Sequence, residues 1–193
     1  MTKFILHGGE SSKPNPDNRY FFRLFTQGLT GKVKILLNYF SQPEEKWSDK
    51  SKQDISGIKK NNLGKELDFE IADSNCFEVQ LQDADILHMR GGNIFLLLEQ
   101  LKKYKNFFDL IKCKTVIGSS AGAYAVAKYY TLPRYYYGQT INRQIQRGLG
   151  ILDIKIHCHH KPTDQVIVNK LKKSGEDLDI IVLPKYKSVI MYR

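Results

Sequence analysis

Gly118-Ser119-Ser120-Ala121-Gly122 sets a serine between two glycines, directly after the β-branched run Thr115-Val116-Ile117 and directly before small, helix-tolerant residues. The order reads as strand, sharp turn and helix, the local structure that lifts a nucleophile out of a sheet. Glycine is needed on both sides because the serine sits in strained backbone and a side chain two positions away would strike the neighbouring strand or helix. Ser120 then stands at the carboxyl end of a parallel strand. The N–H of Ala121, at the start of the next helix, faces the place where an oxyanion develops. A turn that binds phosphate, or nothing, has the same outline, so the chemistry depends on what else the chain brings to Ser120.

A serine hydroxyl needs a base within hydrogen-bond reach, normally histidine. His157, His159 and His160 cluster at the end of a strand-like run. A regular strand puts His157 and His159 on one face and His160 on the other. An oxyanion hole needs a second donor, and Arg90-Gly91-Gly92-Asn93, between a strand and the amphipathic stretch Ile94 to Lys103, offers the N–H of Gly91 or Gly92. Arg90 either faces the cleft, where its guanidinium can meet a substrate carboxylate, or is a strand-end surface charge. The histidine cluster could ligate a metal, but no second Cys or His pair with ligand spacing accompanies it, so neither metal nor cofactor is expected. Cys113 and Cys158 read as inert core, since the elbow itself holds serine.

The elements that must position these residues alternate. Phe4 to Gly9 is a buried strand ending in a glycine turn, Arg19 to Gly28 a helix, Val33 to Tyr39 a strand, Pro43 to Ile58 a polar helix and Leu67 to Ile71 a strand. Ala84 to Met89 is a strand, Ile94 to Lys103 and Phe107 to Cys113 are helices, and the elbow helix runs from Ala121 to about Tyr130. Leu132 to Gly148, with three consecutive tyrosines, reads as an irregular excursion. Ile151 to His160 is a strand, Thr163 to Lys173 a helix, and Asp179 to Leu183 with Lys187 to Tyr192 a closing pair of strands. Such alternation, with glycine turns at strand ends, predicts a mostly parallel sheet covered on both faces and a ligand site at its carboxyl edge.

The chain has 193 residues, enough for one α/β domain over 1–193. Its 41% hydrophobic and 26% charged residues suit a globular protein. No apolar run approaches the roughly 20 residues of a membrane helix and no secretory signal pattern opens the chain, so no membrane partner and a cytoplasmic location are expected. The formal charge of +10 comes from lysines dispersed over outward helix faces, which argues for a solvated surface and against specific nucleic-acid binding.

Three separated stretches together resemble the S51 serine peptidases, the family of the aspartyl dipeptidase peptidase E and, more distantly, cyanophycinase. Gly118 to Ala123 resembles the family's nucleophile motif and Gly91-Gly92-Asn93-Ile94-Phe95 its glycine-rich loop. Leu149 to Leu152 running into Ile156-His157-Cys158-His159 is similar to its hydrophobic strand and catalytic histidine. The resemblance implies a three-layer α/β sandwich akin to class I glutamine amidotransferases (flavodoxin-like), with Ser120 as nucleophile and His159 as base. It implies an oxyanion hole from Gly91, Gly92 and Ala121 and hydrolysis of short peptides, after aspartate in the best-known members. The positive charge of Arg90, Arg134 and Lys161 suits acidic peptides in the same way, and Asn93 of the glycine loop is a further candidate for substrate binding. The chain departs from the family at the triad acid: no Asp or Glu lies between Ser120 and Leu152, and a lysine, Lys185, stands where some members carry a glutamate. A catalytically silent relative that binds a small acidic ligand or a protein partner is the alternative.

Overall fold

The computed structural model describes residues 1–193. In chain order the elements are β1 (Lys3–His7), α1 (Pro16–Arg23), β2 (Lys32–Asn38), α2 (Trp47–Asn61), β3 (Glu66–Ile71), α3 (Phe77–Asp83) and β4 (Ile86–Met89). There follow α4 (Ile94–Leu101), α5 (Phe107–Leu110), β5 (Thr115–Ser119), α6 (Ala121–Val126) and β6 (Ala127–Thr131). The short strands β7 (Tyr135–Tyr136), β8 (Gln139–Thr140) and β9 (Ile145–Arg147) lead to β10 (Leu152–His160), α7 (Gln165–Lys173), β11 (Asp179–Pro184) and β12 (Ser188–Tyr192).

Two larger sheets form. The first has the order β12-β1-β5-β4-β2-β3 and is parallel except for β12, which runs antiparallel to β1. Its central strands are buried on both faces, as parallel strands with helices above and below must be. One face, with Ile5, Val33, Ile35 and Leu37, packs on the aromatic side of α1 through Phe21 and Phe22 and on Phe25 just beyond its end. The opposite face, with Phe4, Leu6, Leu87 and Met89, packs on α3, α4 and α6. This is the expected three-layer α/β sandwich.

The second sheet, β11-β10-β6-β9, shares the larger core through Leu152, Ile154, Ile156 and Leu183. It corrects two expectations. The elbow helix stops at Val126 instead of running to Tyr130, and Ala127 to Thr131 pairs with β10. Tyr129, Tyr130 and Thr131 are residue types that favour a pleated surface. The last two strands do not pair with each other: β11 joins β10 and β12 joins β1. The structure also contains α3, which the sequence reading passed over, and α1 begins at Pro16, capped by the Asn15 side chain.

Candidate active site

β5 delivers the chain to the elbow. Ser120 has φ 50° and ψ −104°, a conformation that L residues rarely adopt, and its N–H donates to the carbonyl of His7 on the adjacent strand at 2.9 Å. Both flanking glycines are explained by contact. A Cβ on Gly118 would enter the backbone of Gly122 and Ala123, and one on Gly122 would enter the backbone of Met89. His7 supports the turn from below: its Nδ1 accepts from the N–H of Gly9 at 3.1 Å, which leaves Nε2–H to donate to Asn18 Oδ1 at 3.0 Å. Burial pushes its pKa down to about 4, so the ring is neutral.

Ser120 Oγ lies 2.7 Å from Nε2 of His159. The ring reaches it because β10 is bulged: Cys158 pairs with Leu183 and His160 with Pro184, leaving His159 as the extra residue, at φ 58°. A bulge re-aims a side chain that a regular strand would direct elsewhere. His159 therefore points at Ser120, while His157 and His160 come to share a side, their ring centroids 5.5 Å apart. The pairing expected from simple alternation, His157 with His159, does not occur.

Four contacts hold this geometry. The Gly8 carbonyl accepts from the N–H of His159 at 3.0 Å, and the Gly9 carbonyl accepts from that of Tyr186 at 3.1 Å, so the turn after β1 ties β10 to the chain beyond β11. Gly9, at φ 106°, lies so close to the His159 ring that a Cβ there would overlap it. Tyr124 on α6 accepts from the N–H of Cys158 at 3.1 Å, linking the elbow helix to the bulge.

The second ring nitrogen of His159, Nδ1, has no hydrogen-bond partner in the chain. Burial lowers the pKa of His159, the neighbouring Lys185 ammonium lowers it further, and the Glu10 carboxylate opposes them. Glu10 itself is held by Lys185 Nζ at 3.1 Å and Lys13 Nζ at 3.0 Å. The acid nearest in effect is thus in the turn after β1, paired to the lysine at the end of β11.

The glycine loop lies across the elbow. A Cβ on Gly91 would fall 3.1 Å from that of Ser120, so Gly91 is the loop residue in contact with the serine. Gly92 packs on Ser41 and Gln42, and its carbonyl accepts from the Tyr136 hydroxyl at 2.7 Å. The N–H groups of Gly91, Gly92 and Ala121 donate to no group of the chain. Two expected ligand contacts fall elsewhere. Asn93 caps α4, its Oδ1 accepting from the Phe95 N–H at 3.0 Å. Arg90 borders the cleft but does not offer its charge to a ligand there: its buried guanidinium pairs with Asp54 and also donates to Gln53 Oε1 at 3.2 Å. That ion pair anchors the loop from behind.

Ser120, His159, Gly91 and Gly92 border a cleft of about 810 Å³, whose wall also carries Arg134 and Lys161. Cys158 is buried with its thiol pushed far up by burial, and is no competing nucleophile. His7, Tyr124 and Tyr136 are the supporting residues that sequence reasoning missed. Only His7, ahead of Gly8-Gly9, stood in a segment already marked as a turn.

Residues 61–190 match the model of peptidase family S51. Among solved structures, a protein of Listeria monocytogenes EGD-e provisionally assigned as peptidase E superposes with a TM-score of 0.67 at 17% identity, over 99% of this chain and 94% of its own. A peptidase from an acI-B1 Actinobacterium gives 0.68 at 15% identity, over 99% of this chain and 83% of its own. No curated protein matches the chain significantly. No helix is long and apolar enough to cross a membrane.

Proposed function

The chain belongs to peptidase family S51, and we propose that it is a serine-type peptidase, a single α/β domain that cleaves short peptides through an acyl-enzyme on Ser120. The observation that carries this reading is the 2.7 Å contact between Ser120 Oγ and His159 Nε2 at the edge of the cleft. Ser120 attacks the peptide carbonyl carbon while His159 Nε2 takes the hydroxyl proton. The carbonyl oxygen becomes an oxyanion facing the N–H of Ala121 and that of Gly91 or Gly92, donors with no other partner. Collapse breaks the C–N bond, the leaving amine takes the proton from Nε2, and a water deprotonated by the same ring releases the acid.

His159 works here without a carboxylate on Nδ1, so catalysis is slow. Glu10 contributes only through its charge, and removing the orienting acid from a triad costs orders of magnitude in rate. Arg134 and Lys161 on the cleft wall support a preference for acidic peptides. The test is hydrolysis of Asp-X dipeptides and Asp-p-nitroanilide beside Leu and Lys equivalents. Faster turnover of the aspartyl substrates is expected, and equal or better turnover of the others rejects the acidic preference. The unpartnered Nδ1 and Lys185 favour a second reading, a silent member of the family that binds a small acidic ligand or a protein partner. Absence of hydrolysis with every peptide would favour that reading.

A further inference from the structure

We propose that His157, His160 and Asp164 form a binding site for a divalent first-row transition metal, Zn²⁺ being the best suited, in the wall of the cleft and separate from the Ser120–His159 pair. The three side chains each bring one donor atom, and these atoms all lie within 4.8 Å of one another. The bulge at His159 creates the group, because in an unbroken strand His157 and His160 would project to opposite faces. Asp164 closes it from the 3-10 turn Pro162–Asp164 immediately after β10.

Each donor is disposed as a ligand. His157 is buried, its Nδ1 lies 2.5 Å from Thr131 Oγ1, and its Nε2 faces Asp164 Oδ2 at 3.3 Å. Without an ion, Nε2–H donates to Asp164 Oδ2 and Nδ1 accepts from the Thr131 hydroxyl; on metal binding the ring proton shifts to Nδ1, where it donates to Thr131 Oγ1, and Nε2 turns its lone pair to the ion. Hydrogen bonding of the non-ligating nitrogen is how metal-binding histidines are oriented. Asp164 Oδ2 also accepts from the N–H of Lys161 at 2.8 Å, which fixes the turn, and Oδ1 makes no hydrogen bond. His160 Nδ1 is buried with no hydrogen-bond partner, a condition that ligation would relieve. Tetrahedral Zn²⁺ with bonds of about 2.0–2.1 Å sets neighbouring donors about 3.3 Å apart. The His157–Asp164 pair already has that spacing, and His160 must close in by about 1.5 Å at most.

Two imidazoles and a carboxylate suit Zn²⁺, Co²⁺, Ni²⁺ or Cu²⁺ and not Mg²⁺ or Ca²⁺, which take oxygen ligands. Lys161, the neighbouring cation in sequence, is exposed, where water screens it. Three protein ligands leave a fourth position, and His157 and Asp164 border the same cleft as Ser120, so that position opens toward it. A bound ion there accepts water or an oxygen of a cleft ligand.

The test uses the full-length chain stripped with chelator and titrated with Co²⁺ and Zn²⁺, and does not depend on peptide hydrolysis. Expected is one equivalent of Co²⁺ with the intense visible bands of a four-coordinate site and no thiolate charge-transfer band, displaced by one equivalent of Zn²⁺. His160→Ala and Asp164→Asn should each bind at least about tenfold more weakly, in keeping with loss of a ligand, while Ser120→Ala and His159→Ala bind as the parent does. No binding by the parent chain overturns the proposal, as does a thiolate band, which would place the metal at Cys76 or Cys113. Loss of binding in His159→Ala with retention in His160→Ala also overturns it. The parent spectrum decides the donor type even if a variant fails to fold.

Discussion

His159 occupies a left-handed backbone conformation that histidine adopts only when its surroundings hold it there. What holds it is the Gly8-Gly9 turn, so Gly9→Ala, which adds a Cβ against the ring at φ 106°, should displace the base. The expected outcome is serine-probe labelling slowed at least about tenfold, by the sensitivity of catalysis to misplacement, while the unfolding transition stays cooperative. The ring must be neutral to accept the Ser120 proton, so the rate rises with pH through the His159 pKa. Burial and Lys185 both favour the neutral form, placing the inflection below the usual value of about 6.5. Lys185→Met removes a like charge and should move the inflection up; Glu10→Gln removes an attractive charge and should move it down. Labelling rates across a pH series check both signs, and an inflection that stays in place in both variants would mean that neither charge acts on the ring.

At the scale of elements, the glycine loop is held by the buried Asp54–Arg90 pair behind it and the Tyr136 hydroxyl in front. Asp54→Ala leaves a buried guanidinium without its counter-charge and should cost about 3–5 kcal/mol in denaturant unfolding, with Gly91 loosened and labelling slowed. Little effect on either would show that the pair neither stabilises nor positions the loop. The elbow and the glycine loop were legible in the sequence because each is a local demand: Gly118 and Gly122 stand where no Cβ fits, and Gly91 where the serine needs room. Arg90 was not legible, because its partner Asp54 lies 36 residues away on α2. The bulge at His159 was hidden for a similar reason. It depends on the register between β10 and β11 and on Tyr124 receiving the Cys158 N–H, and no local pattern records either. The order of the strands followed from alternation. Which sheet β6, β11 and β12 would join did not, since short apolar runs of that kind can pair with any open edge.

Over the whole molecule, the elbow strand β5 lies in the six-stranded sheet and the histidine strand β10 in the four-stranded one, so the Ser120–His159 contact exists only because both sheets share a core. The charge of +10 is spread widely, but Arg134 and Lys161 bring part of it to the cleft. Added salt should therefore slow hydrolysis of acidic peptides at subsaturating concentration and leave neutral ones unchanged, because exposed charges are screened over about 10 Å at 0.1 M. Equal salt sensitivity for both substrate types would remove the electrostatic account of specificity.

The central claim is that Ser120 is made nucleophilic by His159, and covalent labelling with a fluorophosphonate tests it most directly. The probe reacts with an activated serine and mimics the tetrahedral state that the oxyanion donors stabilise. Intact mass and peptide mapping should find one adduct, on Ser120, forming faster as pH rises through the His159 pKa. Ser120→Ala and His159→Ala should form none while keeping cooperative thermal unfolding. No adduct at any pH that titrates histidine, or an adduct that persists in His159→Ala at the parent rate, would contradict the account.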